Sequence, residues 1–291
     1  MRTKQLLLAL LLSLIGIHVA EAESYTPVKG GKIVTDDGIY IVTGDNIIPN
    51  SDFSKGLTGW KAGDNSDLSA DNFGMIPAGG PDGGPCIHAL GGAGSSSNQT
   101  IKTGWAIEIG KTYVFTVWAY RTQSGMSGNT VYSQVWQSKS ETDANTEIGK
   151  IKYQADTWVQ SQFVFTAEKP YFVAKFAWLN AASSFAHFFL AEVEKSNELV
   201  TTSLEASIAT AQETLDTTEE GDEKGQYTTA VRKTLSDAIA AAKNVLDTAT
   251  TQDEINDAKK ALDTAVKTYT ASMNPPFKLG VGYTITNVAG S

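Results

Sequence analysis

The chain has 291 residues, a formal net charge of −9, a sequence pI near 4.9, six tryptophans and one cysteine. That balance excludes nucleic acid and anionic membrane as partners, because either needs clustered Lys and Arg. A single cysteine, Cys86, excludes an internal disulfide framework, so stability rests on ordinary packing, with Cys86 as a small buried hydrophobe.

Residues 1–22 read as a secretory signal peptide. Arg2 and Lys4 precede an apolar stretch from Leu6 to Val19, followed by the small-residue exit Ala20-Glu21-Ala22. This places the mature protein outside the cell or on its surface. The apolar stretch is short for a membrane span, and no other run approaches one, so no membrane insertion is expected.

Residues 23–196 form the first expected domain. Thr35-Asp36-Asp37-Gly38 reads as a hairpin turn between two short strands. Asn46 to Trp60, NIIPNSDFSKGLTGW, has an apolar strand start at Ile47 and Ile48, a Pro-Asn turn, a buried-type Phe53, and a Gly-Leu-Thr-Gly-Trp loop closing one end of a sheet. Strand alternation recurs in Tyr113–Arg121, Val131–Gln137, Trp158–Thr166, Tyr171–Leu179 and Phe185–Val193, with turns at Gly110-Lys111, Gly125–Gly128 and Lys169-Pro170. Short antiparallel strands of this kind predict a β-sandwich.

At about Asn197 the period becomes helical. Leu204, Ile208, Ala211 and Leu215 share one face, then Val231, Leu235, Ala238, Ala242 and Val245, then Ile255, Ala258, Leu262, Ala265 and Tyr269. Thr251 and Glu254 have capping-box spacing, and Gly225 and Pro275-Pro276 punctuate the ends. Residues 197–274 therefore predict a three-helix bundle. Charge changes at the same point: 23–196 carries thirteen basic and seventeen acidic residues, 197–274 seven and fourteen. Residues 275–291 read as a linker and the start of a truncated further domain, which implies a longer modular protein with downstream domains. The fold class is thus multidomain, all-β plus all-α.

The spacing Asn46, Asn50, Phe53, Gly56, Trp60 resembles the first strand of cellulose- and xylan-binding carbohydrate-binding modules, a branch of the galactose-binding-like jelly rolls. Gly225–Val266 is similar to the FIVAR helical modules of extracellular bacterial proteins. The resemblance implies a jelly roll with a noncatalytic glycan-binding role. It also implies a structural calcium with a carboxylate in the last strand. Here that strand ends Ala191-Glu192-Val193, so Ala191 offers no side-chain oxygen, leaving Asp52 and backbone carbonyls as remaining ligands.

Catalytic chemistry is poorly supplied. Beyond the signal peptide only His88 and His187 remain, with no HExxH or G-x-S-x-G, and His187 sits in an apolar strand as a core or edge histidine. Glu219-Glu220 and Asp222-Glu223 lie in an interhelical loop, where a solvated turn is the ordinary reading. The Gly79–Gly84 and Gly91–Gly94 runs lack a P-loop lysine and read as loops. No catalytic residues are assigned.

Strand parity supplies the binding candidates. A core row of Tyr113, Phe115, Val117 and Ala119 turns Trp118 and Tyr120 outward. Inward Val131 and Val135 leave Tyr132, Gln134 and Trp136 outside, and inward Val159, Phe163 and Phe165 leave Gln160 and Gln162 outside. These seven residues are expected on one outer face, where rings stack on sugar C–H surfaces and amides bond hydroxyls. Trp60 and Trp178 read as structural; Trp105 and Trp158 fit either role. The expected function is a secreted polysaccharide-binding module for a neutral glycan, with a helical spacer, appended to a polysaccharide-active enzyme. The competing reading is a surface adhesin or spacer without glycan binding. Residues 23–196 and 197–274, expressed separately, are expected to fold independently and to give β-type and helical circular dichroism spectra. A sandwich piece that stays unfolded alone would refute the boundary at Ser196.

Overall fold

A computed structural model describes residues 25–90, 100–122, 132–141, 143, 146–177 and 183–274. They fall into two compact units: residues up to 33 with 41–194, and residues 34–40 with those from 195 onward. The signal segment, the Gly91–Gly94 and Gly125–Gly128 runs, Val131, Trp178 and 275–291 lie outside the described residues. No helix among the described residues is long and apolar enough to cross a membrane.

The first unit is an antiparallel β-sandwich jelly roll. The strands among the described residues are β1 (Lys32–Thr35), β2 (Gly38–Val42), β3 (Phe73–Ile76), β4 (Cys86–Ala89), β5 (Ile101–Ala106), β6 (Thr112–Arg121), β7 (Tyr132–Ser138), β8 (Thr146–Lys150), β9 (Val159–Thr166), β10 (Tyr171–Ala177) and β11 (Ser183–Lys195). A seven-stranded sheet follows β1-β2-β11-β4-β3, with β6 joining β11 to β9; a four-stranded sheet runs β5-β10-β7-β8. The expected strands from 113 onward are present. β3, β4, β5 and β8 had no sequence prediction: each is only four to six residues long, too short for its period to stand out, even in β5, whose burial does alternate. Ile47 and Ile48 are not in a strand, although the Ile47 N–H still bonds the Leu190 carbonyl at 2.9 Å.

The core lies between the sheets. Phe115 and Val117 of β6, Phe172, Ala174 and Phe176 of β10, and Phe185, Phe188 and Leu190 of β11 are all sealed from solvent. Trp105 joins them, stacking at 6.2 Å on Phe172. Cys86 is buried as expected, and burial pushes its thiol above the ordinary range.

Each residue of the Asn46–Trp60 pattern has a mechanical role. The Asn46 side-chain N–H donates to the Phe188 carbonyl at 2.9 Å, and its oxygen accepts from the N–H groups of Ile48 at 3.1 Å and Leu190 at 3.0 Å. Asn50 donates to the carbonyls of Gly56 at 2.8 Å and Thr58 at 2.9 Å, which closes the loop on itself. Gly56 adopts φ +60, a left-handed conformation that a side chain would strain. Trp60, 1% exposed, sets its ring 4.6 Å from Phe188 and 5.2 Å from Phe53, and its indole N–H donates to the Asn50 carbonyl at 3.2 Å.

The second unit holds α1 (Thr202–Asp216), α2 (Thr229–Thr248) and α3 (Gln252–Ala271). Their buried faces are Leu204, Ile208 and Ala211; Leu235, Ile239 and Ala242; and Ile255, Leu262 and Tyr269. The Thr251–Glu254 capping box forms as the spacing predicts. Tyr227 and Tyr269 stack at 4.2 Å, and Arg232 donates to the carbonyls of Thr218 at 2.7 Å and Leu215 at 2.9 Å, satisfying acceptors left open where α1 ends.

Asn46→Ala strands a backbone carbonyl and two N–H groups at once. We expect it to lower sandwich stability by roughly 2–3 kcal/mol in denaturant unfolding, whereas Ser54→Ala on the same loop changes it by less than about 1 kcal/mol.

Candidate glycan-binding face

In the four-stranded sheet, Phe172, Ala174 and Phe176 face the core, which turns Tyr171, Val173 and Lys175 outward. Gln134 and Trp136 of β7 share that outer face, while Ser133, Val135 and Gln137 point inward and are buried. Tyr132 opens β7 opposite Ala177. Cross-strand register arranges the face in rows. One row is Lys102, Lys175, Gln134 and Lys150; the next is Gly104, Val173, Trp136 and Glu147. The Gln134 side-chain N–H donates to Glu147 at 2.5 Å.

The segment leaving β7 folds back over this sheet. A Cβ on Gly104 would lie 2.6 Å from the Glu141 carbonyl oxygen, so only glycine admits that backbone. Val173 is sealed from solvent, and Trp136 is half-buried, with its indole N–H out of reach of solvent and lacking an acceptor. Lys102 is held below the ordinary lysine range, first by burial and then by the neighbouring Lys175 charge, with Asp143 partly opposing both.

The outer face of the seven-stranded sheet is differently finished. Trp118 stands opposite Gln160 and Thr116 opposite Gln162, as parity predicts. The chain itself occupies this face at Trp118: the indole N–H donates to the Tyr25 carbonyl at 2.9 Å, and the Tyr25 ring lies 5.1 Å away. Val114, Thr116, Ala186, Phe189 and Ala191, which share this face, are all buried. Tyr120 and Trp158 pack 5.6 Å apart, both half-buried, and Gln162 is exposed.

The expectation of one shared face is therefore corrected. Trp118, Tyr120, Gln160 and Gln162 lie on strands of one sheet and Tyr132, Gln134 and Trp136 on a strand of the other, so the seven do not share one face. Alternation places Phe115 and Val117 of β6, Val135 of β7 and Phe165 of β9 in the core as expected, but it carries no information about which sheet a strand joins. Sequence reasoning missed Lys102, Lys150 and Lys175. The signal for Lys175 was present as a cation interrupting the apolar row Phe172, Ala174, Phe176, whereas Lys102 and Lys150 lie on strands that were not recognised.

Both histidines have partners within the fold, His88 in the Ser184 hydroxyl at 2.7 Å. His187 accepts or donates at 2.8 Å to the Thr26 hydroxyl, lies 3.0 Å from Asp82 and stacks on Tyr25. Burial works to raise the Asp82 pKa, but the Gly84 N–H and His187 outweigh it and hold the carboxyl below its ordinary range. Among the described residues no cluster of three or more His, Cys, Asp or Glu is placed to hold a metal. The calcium expectation concerns the end of β11 and Asp52. Ala191 has no ligand oxygen, Glu192 pairs with Lys111 at 2.9 Å, and the Asp52 carboxylate accepts from the Ser54 N–H and hydroxyl.

Residues 45–177 match the family model of a carbohydrate binding domain. A comparison with curated proteins gave no match. Among solved structures, the chain is similar to the CBM22-1 xylan-binding domain of Paenibacillus barcinonensis Xyn10C, at 12% identity and TM-score 0.36, covering 53% of this chain and 97% of that one. A CBM4 module is similar at 16% identity and TM-score 0.32, covering 50% and 99%. The CBM22-1–GH10 modules of Clostridium thermocellum xylanase 10B, complexed with xylohexaose, are similar at 14% identity and TM-score 0.34, covering 58% and 36%.

Trp118 is bonded and stacked by the chain's own Tyr25, so Trp118→Ala is expected to act on stability. Thermal and denaturant unfolding should show a loss of about 2 kcal/mol, with polysaccharide affinity unchanged. Intact stability with lost affinity would reverse the assignment of the two faces.

Proposed function

We propose that the sandwich is a noncatalytic module that holds a polysaccharide on the outer face of its four-stranded sheet. The observation that carries this reading is the pairing of Trp136 with Gln134 on one strand of that face. Each is half-buried, keeping part of the ring and of the amide open to solvent. A ring of that kind stacks on the C–H face of a sugar, and a neighbouring amide bonds its hydroxyls. The match of residues 45–177 to a carbohydrate binding domain supports the same ligand class.

In this reading the chain is secreted or displayed at the cell surface. The sandwich captures an extracellular glycan, and the three-helix bundle spaces it from a further module, a polysaccharide-active enzyme. A single shallow face binds weakly, since stacking and exposed hydrogen bonds barely exceed the cost of ordering a flexible polymer. Useful retention comes from repetition of the module or from coupling to a neighbouring one.

Trp136→Ala is expected to weaken polysaccharide binding about tenfold in affinity electrophoresis, close to 1.4 kcal/mol, and Gln134→Ala by a smaller factor. Both variants should keep the wild-type β-type circular dichroism spectrum. A wild-type chain that retains no polysaccharide from a broad panel would leave the adhesin or spacer reading in place.

A further inference from the structure

The row Lys102, Lys175, Gln134, Lys150 crosses the whole four-stranded sheet beside Trp136. Lys102 and Lys175 are directly opposed on neighbouring strands, and strands lie about 4.8 Å apart. Like charges placed directly opposite destabilise a sheet. Among the described residues no carboxylate lies within ion-pair distance of either lysine. The acidic residues nearby are Glu141, Asp143 and Glu147; Glu141, whose backbone crosses Gly104, is exposed. Glu147 is engaged by Gln134, and Asp143 offsets Lys102 only in part, since burial and Lys175 still keep that lysine below its ordinary range. A partly desolvated cation pair without a matching anion is a cost to the fold that an external anion would relieve.

We propose that this row binds the acid groups of an anionic polysaccharide, the carboxylates of uronic acid residues or sulfate esters, while Trp136 stacks on the adjoining sugar. The inference deepens the carbohydrate-binding reading and rests on it. It departs from the expectation of a neutral glycan, which followed from whole-chain charge. A net charge of −9 repels polyanions at long range, so binding of such a polymer requires a local cationic site. Screening makes that binding salt-sensitive, whereas stacking on a neutral sugar is not.

The test uses the full chain in affinity electrophoresis and calorimetry with three polymers: polygalacturonate, a sulfated galactan and neutral xylan. The wild type should bind at least one acidic polymer more tightly than xylan, and whichever it prefers identifies carboxylate or sulfate as the ligand group. Lys102→Gln with Lys175→Gln should lower that affinity about tenfold or more, leave xylan binding unchanged, and leave the melting temperature equal or raised as the like-charge repulsion disappears. Lys150→Glu, at an exposed edge position, should weaken acidic binding without touching the Lys102–Lys175 pair. Binding to xylan alone, or acidic binding that survives these substitutions, overturns the inference and leaves carbohydrate binding standing. Failure to bind all three polymers overturns it together with the reading on which it rests.

Discussion

Asn46 holds the bulge in β11, and the interior of the sandwich depends on that bulge. β11 is bonded to β6 along one edge and to β4 and β2 along the other, so its register governs the whole seven-stranded sheet. The register with β6 shifts between Ala186 and Phe189, where His187 adopts φ +52. A one-residue shift exchanges the faces of everything that follows it. Here it brings Phe188 and Leu190 into the core, where strict alternation from Phe185 would have sent His187 and Phe189. The Asn46 amide bonds the Phe188 carbonyl and the Leu190 N–H, fixing the exchanged residues, and Trp60 and Phe53 pack on the Phe188 ring that results.

The same bulge explains why the two outer faces differ. His187 leaves the core on the side where Tyr25 lies, and Tyr25 stacks on it while covering Trp118. An aromatic whose polar atom is bonded and whose ring is covered has little left to offer a ligand. On the four-stranded sheet Lys102 stands opposite Lys175, and the buried Trp136 indole N–H lacks an acceptor, as the Thr116 and Ser183 hydroxyls of the seven-stranded sheet lack partners. What sets the four-stranded face apart is the opposed lysine pair beside a partly open tryptophan.

The helical unit follows local rules closely. Its apolar periods, the Thr251–Glu254 box and the Tyr227–Tyr269 stack all act within or between adjacent helices. Gln252 is the less obvious member. It is buried in the first turn of α3, and its amide bonds both the N–H and the carbonyl of Val200 ahead of α1, tying the entry of the first helix to the start of the third.

How much was legible in the sequence depended on the range over which each interaction acts. Alternation in β6, β7, β9 and β10 and the 3.6-residue period of the helices are properties of consecutive residues, so they disclosed the elements, their inward faces and the division between β and α composition. The jelly-roll class is implied by the resemblance that the Asn46–Trp60 residues carry to carbohydrate-binding modules, not by alternation itself. Pairing between strands is settled by residues far apart in the chain: β7 lies against β10 and β8, and β6 against β9 and β11. Only that pairing placed Trp118 and Trp136 in different sheets, brought Lys102 across from Lys175, and set Glu141 over Gly104. The backbone hydrogen bonds that join strands carry no side-chain signature, so side-chain direction could be read from the sequence while the neighbours met in that direction were decided by the tertiary structure.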